Sequence, residues 1–382
     1  MMKIGLYIHI PFCQQKCLYC DFPSHANLTH LYQPYVAALC REISGLGGVL
    51  SGYIVDSIYI GGGTPTVLSP DSLGQILKEV HTHLSVDKMA EISIEANPGT
   101  IDKEKLLALQ VGGVNRISFG VQTFSDSLLS SIGRIHSATQ AIEGVKMAQE
   151  VGFSNINIDL MYGLPGQSVR QLEESILQAV ELNVTHISAY GLKVEENTPF
   201  AMFQEEGILL LPDEDDEDAM YEMTTELLPD KGFTRYEISN FAKEGYECVH
   251  NLKYWQYQPY VGVGAAAHSF FNTERFNNQS DVVSYIKTIE KGQLPTEIHE
   301  KSEIKTGMAE YVFLALRTVE GLSVENFNQY FEVDFFEEYG SIVAKLKDKK
   351  LLVVTENQIY LTSIGMKYGN IVFGAFLPEK NI

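Results

Sequence analysis

The chain has 382 residues, 45% of them hydrophobic and 20% charged, which predicts two or three compact units and excludes disorder as the main state. Its 28 Lys and Arg stand against 49 Asp and Glu, a net charge of −21 that repels phosphate backbones, so no nucleic-acid partner is expected. No apolar run approaches the ~18 residues that cross a bilayer, and the opening MMKIGLYIHIPF is interrupted by His9 and lacks a small-residue cleavage site, so a cytoplasmic protein that does not span a membrane is expected.

Residues 4 to 193 repeat a β-branched run, a turn and a helix-like stretch, the pattern of parallel βα units in an α/β chain. Six strands are predicted: Ile4 to Ile10, Ser57 to Ile60, Glu91 to Ala96, Arg116 to Val121, Asn155 to Met161 and His186 to Leu192. Six units suggest a partial (βα)6 barrel over residues 1 to 197. Ile92 and Ile94 alternate with Ser93 and Glu95, and Ile156, Ile158 and Leu160 with Asn155, Asn157 and Asp159. A closed eight-stranded barrel fills its interior with branched apolar side chains, so a polar inner face predicts a wider barrel that holds a ligand.

From residue 198 to about 300 the repeat fades into an extension richer in aromatics, and its acidic run Asp213 to Asp218 after Pro212 reads as a helix start. Residues 301 to 382 read as three helices, a hairpin around Glu356 and Asn357, and a last helix, a winged-helix-like order. With 9 Lys and Arg against 11 Asp and Glu, that segment lacks the basic surface of a DNA binder.

Of five cysteines, Cys13, Cys17 and Cys20 fall on one short loop after the first strand. Three soft ligands there suit an iron-sulfur cluster or zinc, and zinc would close with a fourth ligand such as His9 or His25. A 4Fe-4S cube on three cysteines leaves one iron open to a small molecule. The C-x3-C-x2-C pattern, with the aromatic Tyr19 before the last cysteine, resembles the radical S-adenosylmethionine (AdoMet) superfamily. That resemblance implies a 4Fe-4S cluster on Cys13, Cys17 and Cys20, with AdoMet chelating the open iron, and a partial barrel like the one counted above.

Gly61-Gly62-Gly63-Thr64 follows the second strand at the rim where parallel barrels bind ligands. The resemblance implies that Gly62, Gly63 and Thr64 form the turn that contacts the methionine amino group. Glu95, Gln122, Arg134 and Asp159 collect at the same rim, with Tyr7 a further candidate on the face of His9. Arg134 matches the methionine carboxylate, and the others match an amine and ribose hydroxyls.

Motif spacing over nearly the whole chain is similar to the oxygen-independent coproporphyrinogen dehydrogenase group. The dehydrogenases carry a further cysteine two residues after the third ligand, where this chain has Phe22. His250-Asn251-Leu-Lys-Tyr254-Trp255 looks like the HNxxYW signature of the haem-chaperone branch of that group. This resemblance implies a protein that binds haem and delivers it to respiratory haem proteins at the membrane, its cluster serving transfer or homodimer formation; the alternative is coproporphyrinogen III dehydrogenation. His250 is the expected axial ligand, with Tyr254 and Trp255 packed on the porphyrin, while Cys248 and His268 stay open as other ligands. Cys40 reads as a buried structural thiol.

Overall fold

A computed structural model describes residues 1–301 and 303–378 of the chain. The six strands are β1 (Met2–Ile10), β2 (Tyr53–Gly62), β3 (Val86–Ala96), β4 (Arg116–Gln122), β5 (Asn155–Tyr162) and β6 (His186–Gly191), parallel and paired in chain order. Between them run α1 (Tyr32–Val49), α2 (Pro70–His83), α3 (Lys103–Val111), α4 (Asp126–Ser131), α5 (Ala138–Val151) and α6 (Val169–Glu181). Local chemistry sets the helix starts. Ser69, Asp102, Ser137 and Ser168 each accept a backbone N–H of the first turn, and Ser137 with Gln140 and Ser168 with Gln171 close capping boxes.

The alternation holds in three dimensions. Ile58, Ile60, Ile92, Ile94, Ile117, Phe119, Ile156, Ile158 and Ile187 are buried in the main apolar core, each worth roughly 1.5 to 3 kcal/mol over exposure. Tyr59, Glu95, Arg116, Ser118, Asn157, Asp159 and Ser188 take the opposite parity and line the lumen. The inner face is therefore polar, as the pattern predicts.

The segment after β6 supplies both open edges of the barrel, which explains why its repeat fades. After α7 (Pro199–Glu205) and α8 (Glu214–Asp230), whose N-cap Asp213 accepts from Asp216 N–H, come β7 (Thr234–Arg235) and β8 (Asn240–Ala242), and β8 runs antiparallel to β6. After α9 (Val249–Trp255) the chain crosses to the other edge, where β9 (Tyr260–Val263) pairs parallel with β1. There β10 (His268–Phe271), β11 (Glu274–Asn278) and, after α10 (Val282–Glu290), β12 (Thr296–Lys301) continue a 12-stranded sheet. These added strands span only 2 to 6 residues, too short for periodicity to declare them.

The C-terminal part has its own core around Val312, Phe327, Phe335, Ile359 and Val372. It contains α11 (Ile304–Ala315), β13 (Leu322–Ser323), α12 (Val324–Phe331), α13 (Phe335–Asp348), the hairpin β14 (Leu352–Val354) and β15 (Gln358–Leu361), then α14 (Ser363–Lys367) and α15 (Gly369–Phe376). Residues 379 to 382 of the expected third unit lie outside the described residues. The part meets the barrel where the Arg317 guanidinium lies 4.5 Å from the Trp255 ring centre and 5.6 Å from that of Phe373. Among the described residues no helix is long and apolar enough to cross a membrane.

Half-buried Glu42 of α1 anchors the β9 edge: its carboxylate accepts from Gly264 N–H at 2.8 Å, Asn278 Nδ2 at 2.6 Å and Tyr285 Oη at 2.6 Å. Glu42→Ala leaves three donors unmatched and should cost about 1 to 3 kcal/mol in denaturant unfolding, with Glu42→Gln costing less. Equal stability of all three proteins would show that the edge is held by strand pairing alone.

Candidate functional site

One cavity of about 480 Å³ opens at the C-terminal ends of the strands and runs down the lumen. Cys13, Cys17 and Cys20 stand at its mouth, joined by Tyr19, Gly62, Gly63, Thr64, Glu95, Gln122, Arg134 and Asp159. The structure thus brings together every residue expected at this rim except Tyr7. Tyr7 does not line the cavity; its hydroxyl pairs with His9 Nδ1 at 2.9 Å.

The cysteine loop is clamped from several sides by the backbone. Cys13 N–H donates to His25 O at 3.0 Å, Leu18 N–H to Ile132 O at 3.1 Å, and Phe200 N–H to Leu18 O at 3.1 Å. His9 Nε2 donates to Pro23 O at 2.9 Å, which assigns a neutral tautomer whose Nδ1 accepts from Tyr7; burial pushes this imidazole down to about 4. The glycine turn packs on the same strand. At Gly62, with φ of 113°, a Cβ would come within 2.6 Å of the His9 ring, and at Gly63 within 2.6 Å of Phe12 O. The close approach expected of these glycines is therefore to β1, and it brings Thr64 Oγ1 to 3.5 Å from Cys13 Sγ.

Below the turn, Glu95 accepts from Tyr59 Oη at 2.9 Å and Gly62 N–H at 3.1 Å. Burial, then the neighbouring Asp159, pushes its carboxyl up to about 7. Asp159 is also raised by burial, and accepts from Asn157 Nδ2 at 2.7 Å and Ser118 Oγ at 3.4 Å. Gln122 holds a φ of 70°, and Tyr190 Oη donates to its Oε1 at 2.9 Å. The buried Arg134 Nε has no hydrogen-bond partner, which leaves a donor toward the cavity for an anion.

The donor set fits an iron-sulfur cluster and AdoMet. All three loop cysteines are free thiols, and among the described residues no three His, Cys, Asp or Glu converge on a single metal ion, as mononuclear zinc requires. A cube takes each thiolate on a separate iron and asks for no such convergence. The unpartnered Arg134 and the two carboxylates suit the carboxylate and ammonium of an amino-acid tail.

The HNxxYW residues lie at the base of the barrel. His250 is buried on the ring of Tyr59, its Nδ1 paired with Ser57 Oγ and its Nε2 with Tyr254 Oη, both at 2.9 Å. Burial pushes this imidazole down to about 3. Ligation of iron by His250 therefore requires the ring to release one of these bonds. Cys248 is buried too, its thiol directed at Glu91, whereas His268 is exposed. Tyr254 and Trp255 line a separate cleft of about 230 Å³ with Tyr257, Tyr260, Phe270 and Arg275. Asn251 instead faces the main cavity. Asn157, on the polar face expected of β5, lines the cavity; sequence reasoning missed Tyr59, Arg116, Ser118, Ser188 and Tyr190 there, although strand parity with Glu95, Gln122 and Asp159 could have found most of them.

A parallel partial barrel with a three-cysteine loop over a polar lumen defines a radical SAM protein, and the Radical SAM superfamily model matches residues 7–179, with the HemN C-terminal domain over residues 305–367. That class carries a 4Fe-4S cluster and AdoMet. The chain is 40% identical to the heme chaperone HemW of Bacillus subtilis, over 98% of this chain and 99% of that one, and 42% identical to HemW of Escherichia coli over 69% of each. The chain belongs to the HemW family. The solved coproporphyrinogen III oxidase HemN of Escherichia coli superposes with a TM-score of 0.86 over 98% of this chain and 90% of that one, and at 24% identity it shares the fold.

Replacing Cys13, Cys17 and Cys20 by Ala should abolish the broad visible absorption of anaerobically reconstituted protein; retained absorption would move the cluster elsewhere. Glu95 supplies a pH signature in cluster-free protein. Its carboxyl moves from an ordinary 4.5 to about 7 on folding, so the native state holds the extra proton between those values and stability falls as pH rises through them. Glu95→Gln should flatten that fall and gain about 1 to 3 kcal/mol at pH 8. Parallel stability curves for the two proteins would show that Glu95 ionises freely.

Proposed function

We propose that this chain is a haem chaperone that binds haem, carries a 4Fe-4S cluster on Cys13, Cys17 and Cys20 with AdoMet at the barrel rim, and passes haem to respiratory haem proteins at the membrane. The observation that carries the reading is the match to HemW along 98% of the chain. Phe22 supports it: where the dehydrogenase branch has a further cysteine, this chain presents a benzyl side chain that is 62% exposed beside the cavity. The cluster and AdoMet would supply a redox-active metal centre and a bound organic cation. The chain's own residues do the rest: the clamped loop orients the thiolates, Arg134 holds a carboxylate, and Glu95 with Asp159 holds an ammonium.

The cleft of Tyr254, Trp255, Tyr257, Tyr260 and Phe270 is our candidate for the porphyrin face. It offers a wall of aromatic rings for a large planar ligand and, at its edge, the guanidinium of Arg275, whose Nε already pairs with Glu310 at 2.9 Å, so that a propionate there shares the fork with that carboxylate. His250, held through Tyr254, stands behind this wall and is the candidate iron ligand once that hydrogen bond opens. A cytoplasmic monomer or homodimer that meets its acceptor at the membrane surface completes the reading.

Anaerobic protein with reconstituted cluster should bind haem with quenching of Trp255 fluorescence, donate it to an acceptor apoprotein, and give no protoporphyrinogen IX from coproporphyrinogen III. Stoichiometric protoporphyrinogen IX would make the chain a dehydrogenase. His250→Ala should shift the haem absorption band and slow transfer while sparing the cluster spectrum; an unchanged band and full transfer would make His250 a packing residue.

A further inference from the structure

The floor of the lumen holds polar groups that neither the cluster nor AdoMet explains. Arg116, at the start of β4, is 2% exposed and lines the main cavity, yet no hydrogen bond or ion pair reaches its guanidinium from any described residue, and its buried Nε is unpartnered. Glu91, whose negative charge acts on Arg116, takes its hydrogen bonds from other groups. Glu91 accepts from Val249 N–H at 3.1 Å, His250 N–H at 3.1 Å and the Cys248 thiol at 3.5 Å. Ser93 pairs with Arg116 in the β3–β4 register, and its fully buried Oγ is also unpartnered. Asn251 lines the same cavity, and its carboxamide makes no hydrogen bond among the described residues.

A buried guanidinium without a partner is expensive, and protein interiors keep one where a ligand completes it. We propose that the floor of the barrel is a carboxylate-binding subsite, with the Arg116 fork holding the two oxygens and the Asn251 amide a further donor from the lining of the same cavity. The planar fork matches a carboxylate side-on. Glu95 and Asp159 line the lumen, so a tetrahedral phosphate with its charge gathered on one centre meets more repulsion and a poorer fit to the fork than a chain that presents one planar carboxylate at a time. The cavity is continuous from Cys13 to Asn251, so the floor is reached through the mouth that admits AdoMet. Two sources share this chemistry: a free small carboxylate, or a propionate arm of a haem seated over the lumen instead of in the separate Tyr254–Trp255 cleft. The second rests on the haem reading; the first does not.

The test uses full-length protein with reconstituted cluster, saturated with AdoMet so that Arg134 is already engaged. Calorimetric titration with glutarate should give saturable binding that weakens at least tenfold in Arg116→Gln, weakens less in Arg116→Lys and about threefold in Asn251→Ala, with inorganic phosphate not binding. In parallel, haem and haem dimethyl ester are titrated by absorption. Arg116-dependent glutarate binding with unchanged haem affinity assigns the site to a small free carboxylate. No glutarate binding, with haem favoured over its diester in the native chain but not in Arg116→Gln, assigns it to a propionate. If Arg116→Gln loses its cluster spectrum, Arg116→Lys and Asn251→Ala decide. The proposal is overturned if neither glutarate nor the difference between haem and its diester responds to these substitutions. Failure of the native chain to bind any haem, with glutarate binding intact, sinks the haem reading and leaves the subsite standing.

Discussion

Burying ionisable groups inside a barrel costs free energy, and that cost organises this molecule. Each strand gives one face to the helices and turns the other inward, so Glu95, Asp159, Arg116 and Tyr59 share a lumen largely removed from water. Part of the cost is met internally: Tyr59 and Gly62 donate to Glu95, and Asn157 and Ser118 to Asp159. The remainder is left open at Arg134 and Arg116, whose Nε atoms lack partners. A chain that keeps such groups unmatched retains binding energy for whatever completes them.

The same constraint explains why the loop and turn at the rim are so rigidly held. A cysteine trio must be in place before it meets a cluster. Here β1 supplies the template, through His9 against Gly62 and Phe12 O beneath Gly63, while α4 and α7 grip the loop at Leu18. The buried imidazole of His9, kept neutral by its surroundings, is a spacer between strand and turn.

Much of this was legible in the sequence because it rests on local patterns. Strand parity announced the polar lumen, three cysteines in eight positions announced the loop, and glycines at a strand end marked the turn. What stayed hidden depends on long-range pairing. Nothing in the residues between 198 and 300 says that β8 joins β6 while β9 crosses to β1, because register over three or four residues is set by the partner strand. Nor could a motif show that His250 faces Ser57, 193 positions away, while Asn251 beside it faces the cavity. Helical geometry splits adjacent residues of one signature between core, lumen and cleft.

The seam between the barrel and the C-terminal part is of a different kind. At its centre the Arg317 guanidinium is sandwiched between Trp255 and Phe373, and its buried Nε has no hydrogen-bond partner. Stacking of a cation on flat rings tolerates lateral displacement far better than a hydrogen bond does, because the attraction spreads over the ring face. The stack therefore leaves orientation to its flanks, where Val319 N–H donates to Tyr236 O at 3.1 Å, Arg275 pairs with Glu310 at 2.9 Å and Lys367 with Asp218 at 2.9 Å: the rings supply adhesion, and these directional bonds fix the angle at which the C-terminal part sits on the barrel.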